Sequence, residues 1–393
     1  MKMPPSSLRI TMVNKYYWPP HLGGVEAVVR HLSEGLVEHA GAEVRALVSN
    51  EGRDRVEETI GGVDVVRLPR QMALSSAPVA AGMSGALRDE FRRPDPPDII
   101  NLHAPYPWGE LSFLQANPAA PSVVLYHSDI VRQKRLLVAY RPFLERFLDR
   151  VDLIVASSPN MIEHSEFLAP RAEKCRVVNF GLPLDRLAGT PATALRAADL
   201  RARHSGRRIV LFVGRLVYYK GVDVLVRAMA DVDADLVLIG RGPLEGELRT
   251  LAASCGIAER VTFLGEQDGD ELAAWYRAAD VFCLPSVARS EAFGLVQIEA
   301  HAAGTPVVST DLPTGVPYAN LDGVTGLTVP AGDSTALAGA LRRLLGDDIL
   351  RARLGRQARA RALRDFTIPR MVEQTLGVYA EAVGRHAARR GRA

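Results

Sequence analysis

Short runs of β-branched and other apolar residues alternate with longer amphipathic segments along most of the chain. The first segments are a strand over 8–13, a helix over about 25–38 and a strand over 43–48. In that helix apolar residues recur at i, i+3, i+4, i+7 and i+11 and form one stripe of Val25, Val28, Val29, Leu32 and Leu36. Strands that alternate with helices in this way predict βαβ units and a parallel sheet.

Two such series follow one another. The first continues through strands at 98–102, 122–126, 153–156 and 176–179, and the second runs through strands at 209–213, 236–239, 261–263, 281–284 and 306–309. Between 181 and about 206 the pattern decays, which predicts a domain boundary with a connecting helix. From 334 the chain is predicted to be helical to its end, with a break at Pro369. The predicted fold is α/β, with two doubly wound Rossmann-like domains.

Length and composition agree with two domains and restrict the function. The chain has 393 residues, more than one hydrophobic core usually organises. The net charge of +3 is too weak to predict nucleic acid as a partner. The three cysteines are scattered, so we expect neither a disulfide framework nor a zinc site. No signal-peptide core is present, and no apolar run approaches the roughly 20 residues of a membrane span. We expect a cytoplasmic protein.

Ligands of open α/β sheets bind beyond the carboxyl ends of the strands, so motifs are ranked by the strand end at which they lie. Gly23 and Gly24 follow the first strand and begin a helix, where backbone N–H groups attract an anion. The structural alternative is a tight turn that requires positive φ.

Arg215 and Lys220 follow the first strand of the second series and are each flanked by a glycine. Together they are suited to bind a diphosphate, Arg as a planar fork and Lys as a point charge. The alternative is a pair of ordinary solvated cations. Gly240 and Gly242 end the next strand, and their loop is a candidate nucleotide contact. Its spacing, G-x-G-x-x-x-G, departs from the dinucleotide fingerprint.

Glu291 and Glu299 are the most informative pair. Glu291 lies in a loop before a helix, whereas Glu299 lies within that helix, so the two carboxylates are placed to reach different parts of an elongated ligand. The carboxyls of a hydrolytic pair lie roughly 5–9.5 Å apart around one bond, an arrangement that this spacing does not favour. The structural alternative is one glutamate favoured by the helix dipole and one that is solvated.

His103 and His127 follow two neighbouring strands of the first series. Imidazole donors suit sugar hydroxyls, and the alternative is a pair of hydrogen-bonded core residues. The D-x-D pattern of Asp231, Asp233 and Asp235 precedes a strand, at the end opposite the expected site. We interpret it as a solvated turn and predict no metal site.

The ordered set of these motifs resembles the retaining glycosyltransferases of family 4, which have the GT-B fold with two domains facing across a cleft. The resemblance covers nearly the whole chain. It implies an acceptor-binding domain over 1–183, a nucleotide-sugar-binding domain over 184–365 and a C-terminal helix over 366–393 that returns to the first domain.

The resemblance also implies roles for individual residues. Glu291 would bind hydroxyls of the donor sugar, Glu299 the ribose, and Arg215 with Lys220 the diphosphate, while His127 would approach the transferred sugar. Glu291, His127, Arg215 and Lys220 are the predicted catalytic residues. The remaining predicted donor contacts are Gly23, Gly24, Gly240, Gly242, Leu264, Glu266, Phe293, Gly294, Leu295 and Glu299.

By the same resemblance, a hexose would move from a nucleotide sugar to a glycan or a lipid-linked acceptor with retention of configuration. The departing phosphate would take the acceptor's proton, and no cofactor or metal would be required. His127 to Ile130 and Thr314 to Pro317 resemble the branch that builds surface polysaccharides, often with GDP-mannose.

Two predictions concern the partners of the first domain. Segment 132–150 alternates cations with apolar residues, which favours either docking on an anionic membrane or a solvated helix packed on the domain. Candidate acceptor contacts are Tyr17, Trp18, His103, Tyr106 and Trp108; the alternative for these rings is packing between sheet and helices.

Two other functions remain open from the sequence. An NAD-dependent oxidoreductase or epimerase would use Gly240 to Gly246 as its fingerprint, and leaves Glu291, Glu299 and the two cations without a joint role. A non-catalytic sugar-nucleotide-binding protein would bind the donor without turnover.

Overall fold

The computed structural model describes residues 7–19, 23–74, 77–129 and 134–391. The chain divides into two compact units, one made of Met1–Gly181 with Ile368–Ala393 and the other of Leu182–Thr367. Each unit is built on its own largely parallel sheet, so the predicted α/β fold with two Rossmann-like halves is confirmed.

The described part of the first unit forms two sheets. Its strands are β1 (Arg9–Val13), β2 (Glu43–Ser49), β3 (Val56–Ile60), β4 (Val63–Leu68), β5 (Met72–Leu74), β6 (Ala77–Val79), β7 (Ile99–Ala104), β8 (Ser122–Tyr126), β9 (Leu153–Ala156) and β10 (Cys175–Val177). Eight of them form one sheet in the order β10-β9-β8-β7-β1-β2-β4-β3, and β5 pairs with β6. Within the large sheet only β3 runs antiparallel to its neighbour.

Helices cover this sheet because their apolar stripes face it. They are α1 (Gly24–Ala40), α2 (Met83–Glu90), α3 (Pro107–Ala116), α4 (Lys134–Arg150) and α5 (Pro159–His164), followed by a 3₁₀ segment, Ala169–Lys174. In α1 the predicted stripe is buried at Val28, Val29, Leu32 and Leu36. The helix ends at Gly41, whose left-handed conformation is the one that glycine adopts without strain.

The second unit is the more regular half. Its strands are β11 (Ile209–Val213), β12 (Asp235–Ile239), β13 (Val261–Gly265), β14 (Val281–Leu284), β15 (Val307–Thr310) and β16 (Gly326–Val329). All are parallel, in the order β13-β12-β11-β14-β15-β16. Its helices are α6 (Asp185–Ala188), α7 (Pro191–Ala202), α8 (Val222–Ala228), α9 (Glu245–Ser254), α10 (Gly269–Ala278), α11 (Leu295–Ala303), α12 (Val316–Ala319), α13 (Ser334–Gly346) and α14 (Asp348–Asp365), with short 3₁₀ segments at Tyr218–Lys220, Met229–Asp231 and Ala258–Arg260.

Alternate residues of β11 serve two separate cores, as a doubly wound sheet requires. Val210 and Phe212 pack with α8 and α13 on one face. Leu211 and Val213 pack with α7, α10 and α11 on the other. Both faces of this strand are therefore buried, which explains why it reads as an unbroken apolar run.

The C-terminal helix, Ile368–Arg390, belongs to the first unit. Its Glu381 accepts a hydrogen bond from Arg176 at 2.8 Å, and its His386 lies 3.3 Å from the buried carboxylate of Asp152. The predicted break at Pro369 is wrong. The chain breaks at 366–367, and Pro369 is the second residue of the last helix, where its missing N–H costs no hydrogen bond.

Several elements went unpredicted for an identifiable reason. Strand β3 is exposed along almost its whole length, so it lacks the apolar alternation that marks a half-buried strand. Strands β5, β6 and β16 have only three or four residues each. Among the described residues no helix is long and apolar enough to cross a membrane.

Candidate active site

The loops that follow β11, β12 and β13 form one layer at the carboxyl end of the second sheet. Backbone bonds join them: Gly214 N donates to Ile239 O, Leu216 N to Arg241 O, and Gly240 N to Gly265 O. Gly240 has φ of +126°, and a Cβ there would overlap the carbonyl oxygen of Gly214. Only glycine lets these loops approach so closely, so the predicted glycine loop is also a packing requirement.

Lys220 and Glu291 form a buried ion pair at this edge. The Lys220 Nζ lies 2.6 Å from Glu291 Oε2, and the side chains are only 11% and 9% exposed. The same Oε2 accepts a hydrogen bond from Ser286 Oγ at 3.0 Å. Lys220 lies on the 3₁₀ turn after β11, and Glu291 lies on the loop after β14. Strands β11 and β14 are neighbours in the sheet, which brings the two residues together.

Arg215 contrasts with Lys220, although both follow β11. Arg215 is exposed, and its guanidinium makes no hydrogen bond or ion pair with the part of the chain that the structure describes. The two predicted phosphate-binding cations therefore differ in state: one is held by a carboxylate and one is available to an anion.

Glu299 is the fifth residue of α11 and points at a tyrosine. Its Oε2 accepts a hydrogen bond from Tyr276 Oη at 2.6 Å, and Tyr276 belongs to α10. Burial raises the pKa of Glu299, while the Tyr276 hydrogen bond and the charge of Lys220 act in the opposite direction. Lys220 thus influences both predicted carboxylates.

The start of α11 is fixed by Gly294. Its φ is +75°, and a Cβ would lie 2.5 Å from Leu284 Cδ2 and 2.7 Å from Gln297 Nε2. Any other residue at this position would be strained by the positive φ and would have to displace the ends of the Leu284 and Gln297 side chains. Phe293 is 3% exposed and packs against Tyr318 and Phe366, so it anchors the loop instead of facing a ligand. Leu295 is half-buried at the first turn of the helix.

The predicted base-bordering residues lie on the loop after β13. Leu264 is half-buried and Glu266 is exposed. Gly265 has φ of +68°, and its hydrogen bond to Gly240 connects this loop to the preceding one. The structure therefore brings these residues to the same sheet edge as Arg215, Lys220, Glu291 and Gly294.

Gly23 and Gly24 belong to the other unit and lie at the start of α1. Both are exposed, and neither has positive φ. The alternative of a turn that requires positive φ is therefore wrong. Residues 20–22 of the same motif lie outside the described residues.

His103 and His127 lie side by side in the first unit. His103 Nδ1 is 2.9 Å from His127 Nε2, and the rings stack with centroids 5.2 Å apart. Burial lowers the pKa of His127 to about 4 and the pKa of His103 well below its usual value. Both imidazoles are therefore neutral at pH 7. His127 also stacks on Phe180.

The five acceptor candidates fall into two groups. Tyr17, His103 and Tyr106 are at most 2% exposed and fill the core of the first unit, where Tyr106 Oη shares a 2.8 Å hydrogen bond with Ser49. Trp18 and Trp108 are half-buried. The guanidinium carbon of Arg30 lies 3.9 Å from the centroid of the Trp18 ring, and the indole N–H of Trp108 donates a hydrogen bond to Ala80 O. Only the two tryptophans have surface to offer to an acceptor.

The basic segment forms α4, and residues 132–133 lie outside the described residues. Leu144, Phe147 and Leu148 are buried against the first unit. On the other side Val138 is 76% and Phe143 49% exposed. Among the α4 side chains that the structure describes, those of one face therefore pack on the unit, while Val138 and Phe143 lie in solvent.

Sequence reasoning did not single out the partners of the site residues. Ser286 lies two residues after the end of β14, so its position near a strand end was a usable signal. Tyr276 bonds Glu299 across 23 residues, and no local pattern indicates it. The interpretation of the D-x-D as a solvated turn holds for exposed Asp233 but not for Asp235, which begins β12 and bonds His204 at 2.7 Å.

Comparison with known proteins identifies the two halves. Residues 22–186 match the family model described as Glycosyltransferase Family 4, and residues 200–361 match the one described as Glycosyl transferases group 1. The D-rhamnosyltransferase WbpZ of Pseudomonas aeruginosa is 36% identical over 361 residues, which are 92% of each chain. The O-antigen chain mannosyltransferase C of Escherichia coli is 34% identical over 95% of this chain and 98% of its own.

A solved structure shows the same architecture over both units. Sucrose-phosphate synthase from Thermosynechococcus elongatus is 25% identical, with a TM-score of 0.78 over 96% of this chain and 99% of the other. The oxidoreductase alternative has no counterpart in the names of the two bacterial relatives, which describe rhamnosyl and mannosyl transfer. This chain belongs to glycosyltransferase family 4 and has the GT-B fold.

Proposed function

We propose that this glycosyltransferase moves a hexose, with mannose from GDP-mannose as the first candidate, to a growing surface polysaccharide or a lipid-linked glycan. The observation that carries the proposal is the buried contact of Lys220 with Glu291 beside exposed Arg215. The names of the bacterial rhamnosyl- and mannosyltransferases that match nearly the full chain support the choice of sugar and acceptor.

The second unit would hold the donor. Arg215 and Lys220 would bind the diphosphate, and the loops around Gly240 and Leu264 would border the base. A phosphate that reaches Lys220 competes with Glu291 for the ammonium, because both are anions within reach of one cation. Donor binding would then release Glu291 to accept hydrogen bonds from the sugar.

Transfer would proceed on one face of the sugar with retention. The acceptor oxygen would bond to the anomeric carbon while the bond from that carbon to the phosphate oxygen breaks, and the acceptor's proton would pass to the departing phosphate. The protein stabilises the charge that develops on the diphosphate, a term worth roughly 2.7–4 kcal/mol for one well-placed donor. Two cations supply this stabilisation, so we propose that the reaction requires no metal.

The test is a transfer assay with EDTA present. Purified protein is incubated with GDP-mannose, UDP-glucose or ADP-glucose and with a lipid-linked glycan acceptor, and released nucleotide and glycosylated product are measured. Turnover with GDP-mannose and an α-linked product support the proposal. A β-linked product contradicts retention, dependence on added Mg²⁺ contradicts metal independence, and turnover with UDP-glucose alone contradicts the donor.

We further propose that α4 contacts an anionic membrane and brings the protein to a lipid-linked acceptor. Exposed Val138 and Phe143 would enter the lipid interface, and exposed Arg146 would meet lipid phosphates. Co-sedimentation with phosphatidylglycerol vesicles tests this at low and high salt. We expect binding that Phe143→Ser and Arg146→Glu weaken, with the exposed residue pair Ile349→Ser and Arg353→Glu of the second unit as the matched control. Absence of binding at low salt would remove the proposal.

A further inference from the structure

Four buried polar side chains form a hydrogen-bonded chain through the first unit. Tyr379 Oη lies 3.1 Å from Asn101 Oδ1, Asn101 Nδ2 lies 3.1 Å from His103 Nε2, and His103 Nδ1 lies 2.9 Å from His127 Nε2. The four side chains are at most 5% exposed. Tyr379 comes from the C-terminal helix, Asn101 and His103 share one face of β7, and His127 follows β8.

The donors and acceptors along this chain determine where each proton lies. The tyrosine hydroxyl donates to the amide oxygen, so the amide NH₂ faces His103 and donates to its Nε2. His103 Nε2 is then an acceptor, and the proton of this neutral ring lies on Nδ1. That N–H donates to His127 Nε2, which leaves the His127 proton on Nδ1.

His127 Nδ1 is the free end of the chain. It makes no hydrogen bond with the residues that the structure describes, and His127 N is bonded to Ala104 O, which holds the backbone beside β7. The ring is further confined between His103 and Phe180. Both its orientation and its protonated nitrogen are therefore determined by protein groups.

The orienting group is an amide and not a carboxylate. In a Ser-His-Asp triad a carboxylate stabilises the imidazolium that forms when the histidine takes a proton. Asn101 carries no charge, and no described carboxylate hydrogen-bonds either ring. This arrangement suits a permanent hydrogen-bond donor and does not suit a general base.

We propose that Tyr379, Asn101 and His103 are positioning residues that hold His127 as the Nδ1–H tautomer, so that it donates a hydrogen bond to a substrate oxygen. The substrate half of this inference rests on the proposed function and on the family resemblance, which implies that His127 approaches the transferred sugar. The tautomer half concerns the ligand-free protein alone. A rotated Asn101 amide would exchange donor and acceptor in every hydrogen bond of this chain. The tautomers of the two histidine rings therefore show which of the two arrangements is present.

The direct test is NMR of ligand-free protein labelled with ¹⁵N-histidine, at pH 7.5. Long-range ¹H–¹⁵N correlations distinguish protonated from unprotonated ring nitrogens, and spectra of His103→Gln and His127→Gln assign the two rings. We expect both rings to be neutral with protonated Nδ1. A His127 ring protonated on Nε2, or on both nitrogens, would overturn the inference.

Asn101→Asp is the variant that should reverse the direction of the hydrogen bonds between Tyr379 and His127. A carboxylate accepts from both Tyr379 and His103 Nε2–H, so His127 must donate from Nε2 and its Nδ1 becomes an acceptor. We expect the tautomer of His127 to switch and kcat to fall about 10- to 100-fold, the usual effect of losing an outer-shell partner. The KM for the donor changes much less, because the second unit binds the nucleotide. In folded Asn101→Asp, a His127 ring still protonated on Nδ1 beside a neutral His103 ring protonated on Nε2 would contradict the inference.

Tyr379→Phe is the second variant, because Asn101→Asp buries a carboxylate and lowers stability. It removes one hydroxyl from the chain and keeps the ring in the core. We expect a population of the reversed tautomer and a kcat lowered several-fold; a spectrum and kcat identical to those of the wild type would contradict the chain's role. Tyr276→Phe, which removes a buried hydroxyl of the second unit, is the matched control and leaves the histidine spectrum unchanged.

The experiments separate this inference from the proposed function. Absence of transfer with every donor, together with the expected tautomer, refutes the proposed function and leaves the positioning chain established. Transfer together with the reversed tautomer refutes the positioning chain alone.

Discussion

The buried polar groups of the two units differ in kind. In the second unit Lys220 and Glu291 are opposite charges in contact, and exposed Arg215 adds a further cation at the same sheet edge. In the first unit His103 and His127 are neutral rings, oriented by an amide and a phenol. Charges stabilise a diphosphate, whereas neutral donors recognise hydroxyls, so the difference agrees with the proposed roles, in which the second unit binds the diphosphate and His127 meets the transferred sugar.

The two arrangements also differ in how they respond to a ligand. In the proposed function a phosphate competes with Glu291 for the Lys220 ammonium, so donor binding would change the partners of this ion pair. The histidine chain of the first unit already has its partners and ends in one available N–H. The ion pair would therefore exchange partners when the ligand binds, whereas the histidine chain is preorganised.

The largest expected effect is on catalysis by the charged site. Glu291→Gln removes the carboxylate that would receive the sugar hydroxyls and leaves Lys220 without its counter-ion, so we expect kcat to fall roughly 10²- to 10³-fold. Product formation at saturating donor measures this change. Glu259→Gln, on the 3₁₀ segment before β13, exchanges an exposed glutamate outside the predicted site; it is the matched control and should lower kcat by less than about threefold. Equal losses in both variants would contradict the role of Glu291.

The next effect concerns stability. Lys220→Met leaves the buried Glu291 carboxylate unpaired, which costs roughly 3 kcal/mol, and adding Glu291→Gln should recover part of that loss. Urea unfolding of the two single variants and the double variant measures the coupling. The pair of Arg249 and Glu245, 55% and 35% exposed, is the control and should show a coupling below about 1 kcal/mol. Similar coupling free energies for the two pairs would show that burial does not strengthen the interaction between Lys220 and Glu291.

The neutral site predicts a dependence of stability on pH. The pKa of His127 falls to about 4 on folding, so the unfolded chain binds the proton more tightly. Stability is therefore fully present above pH 6.5 and is lost as the pH falls toward 4. By linkage the loss between pH 7 and 5 is about 2 kcal/mol.

Thermal unfolding between pH 5 and 7.5 tests this dependence. His127→Gln should flatten the slope in part, because His103, whose pKa burial also lowers, and His301, whose pKa burial lowers to about 3, contribute slopes of the same sign. An unchanged slope in His127→Gln would mean that His127 is not a buried neutral residue.

The smallest effect is expected at Glu299. Glu299→Gln keeps a hydrogen bond with Tyr276 but weakens an acceptor for the ribose, so we expect KM for the donor to rise about tenfold with kcat nearly unchanged. Initial rates over a range of donor concentrations separate the two constants. A fall in kcat at constant KM would place Glu299 in the chemical step and not in nucleotide binding.

Particular residues show how far the sequence predicted this molecule. Strands β8, β9, β11 and β14 were predicted with their observed bounds because apolar runs that end in polar turns mark buried parallel strands. Strand β3 was missed because its side chains face solvent, so burial left no pattern in its sequence.

The same contrast holds within the candidate site. The strand-end rule and the family resemblance indicated Lys220, Glu291 and His127, since each follows a strand of its sheet. The partner of Asn101 is Tyr379, 278 residues away, and no spacing in one sequence encodes a contact of that range. Side-chain chemistry near strand ends was therefore predictable, and the groups that orient it required the structure.

The central claim is that the charged edge of the second unit holds the nucleotide while the histidine chain does not. The most direct measurement is a thermal-shift screen of GDP, UDP, ADP and NAD with EDTA present, because a ligand of the folded state raises the melting temperature. We predict a shift with GDP that is lost in Arg215→Ala and Glu299→Ala and retained in His127→Ala. A shift that survives the first two variants but disappears in His127→Ala, or a shift with NAD alone, would contradict the account.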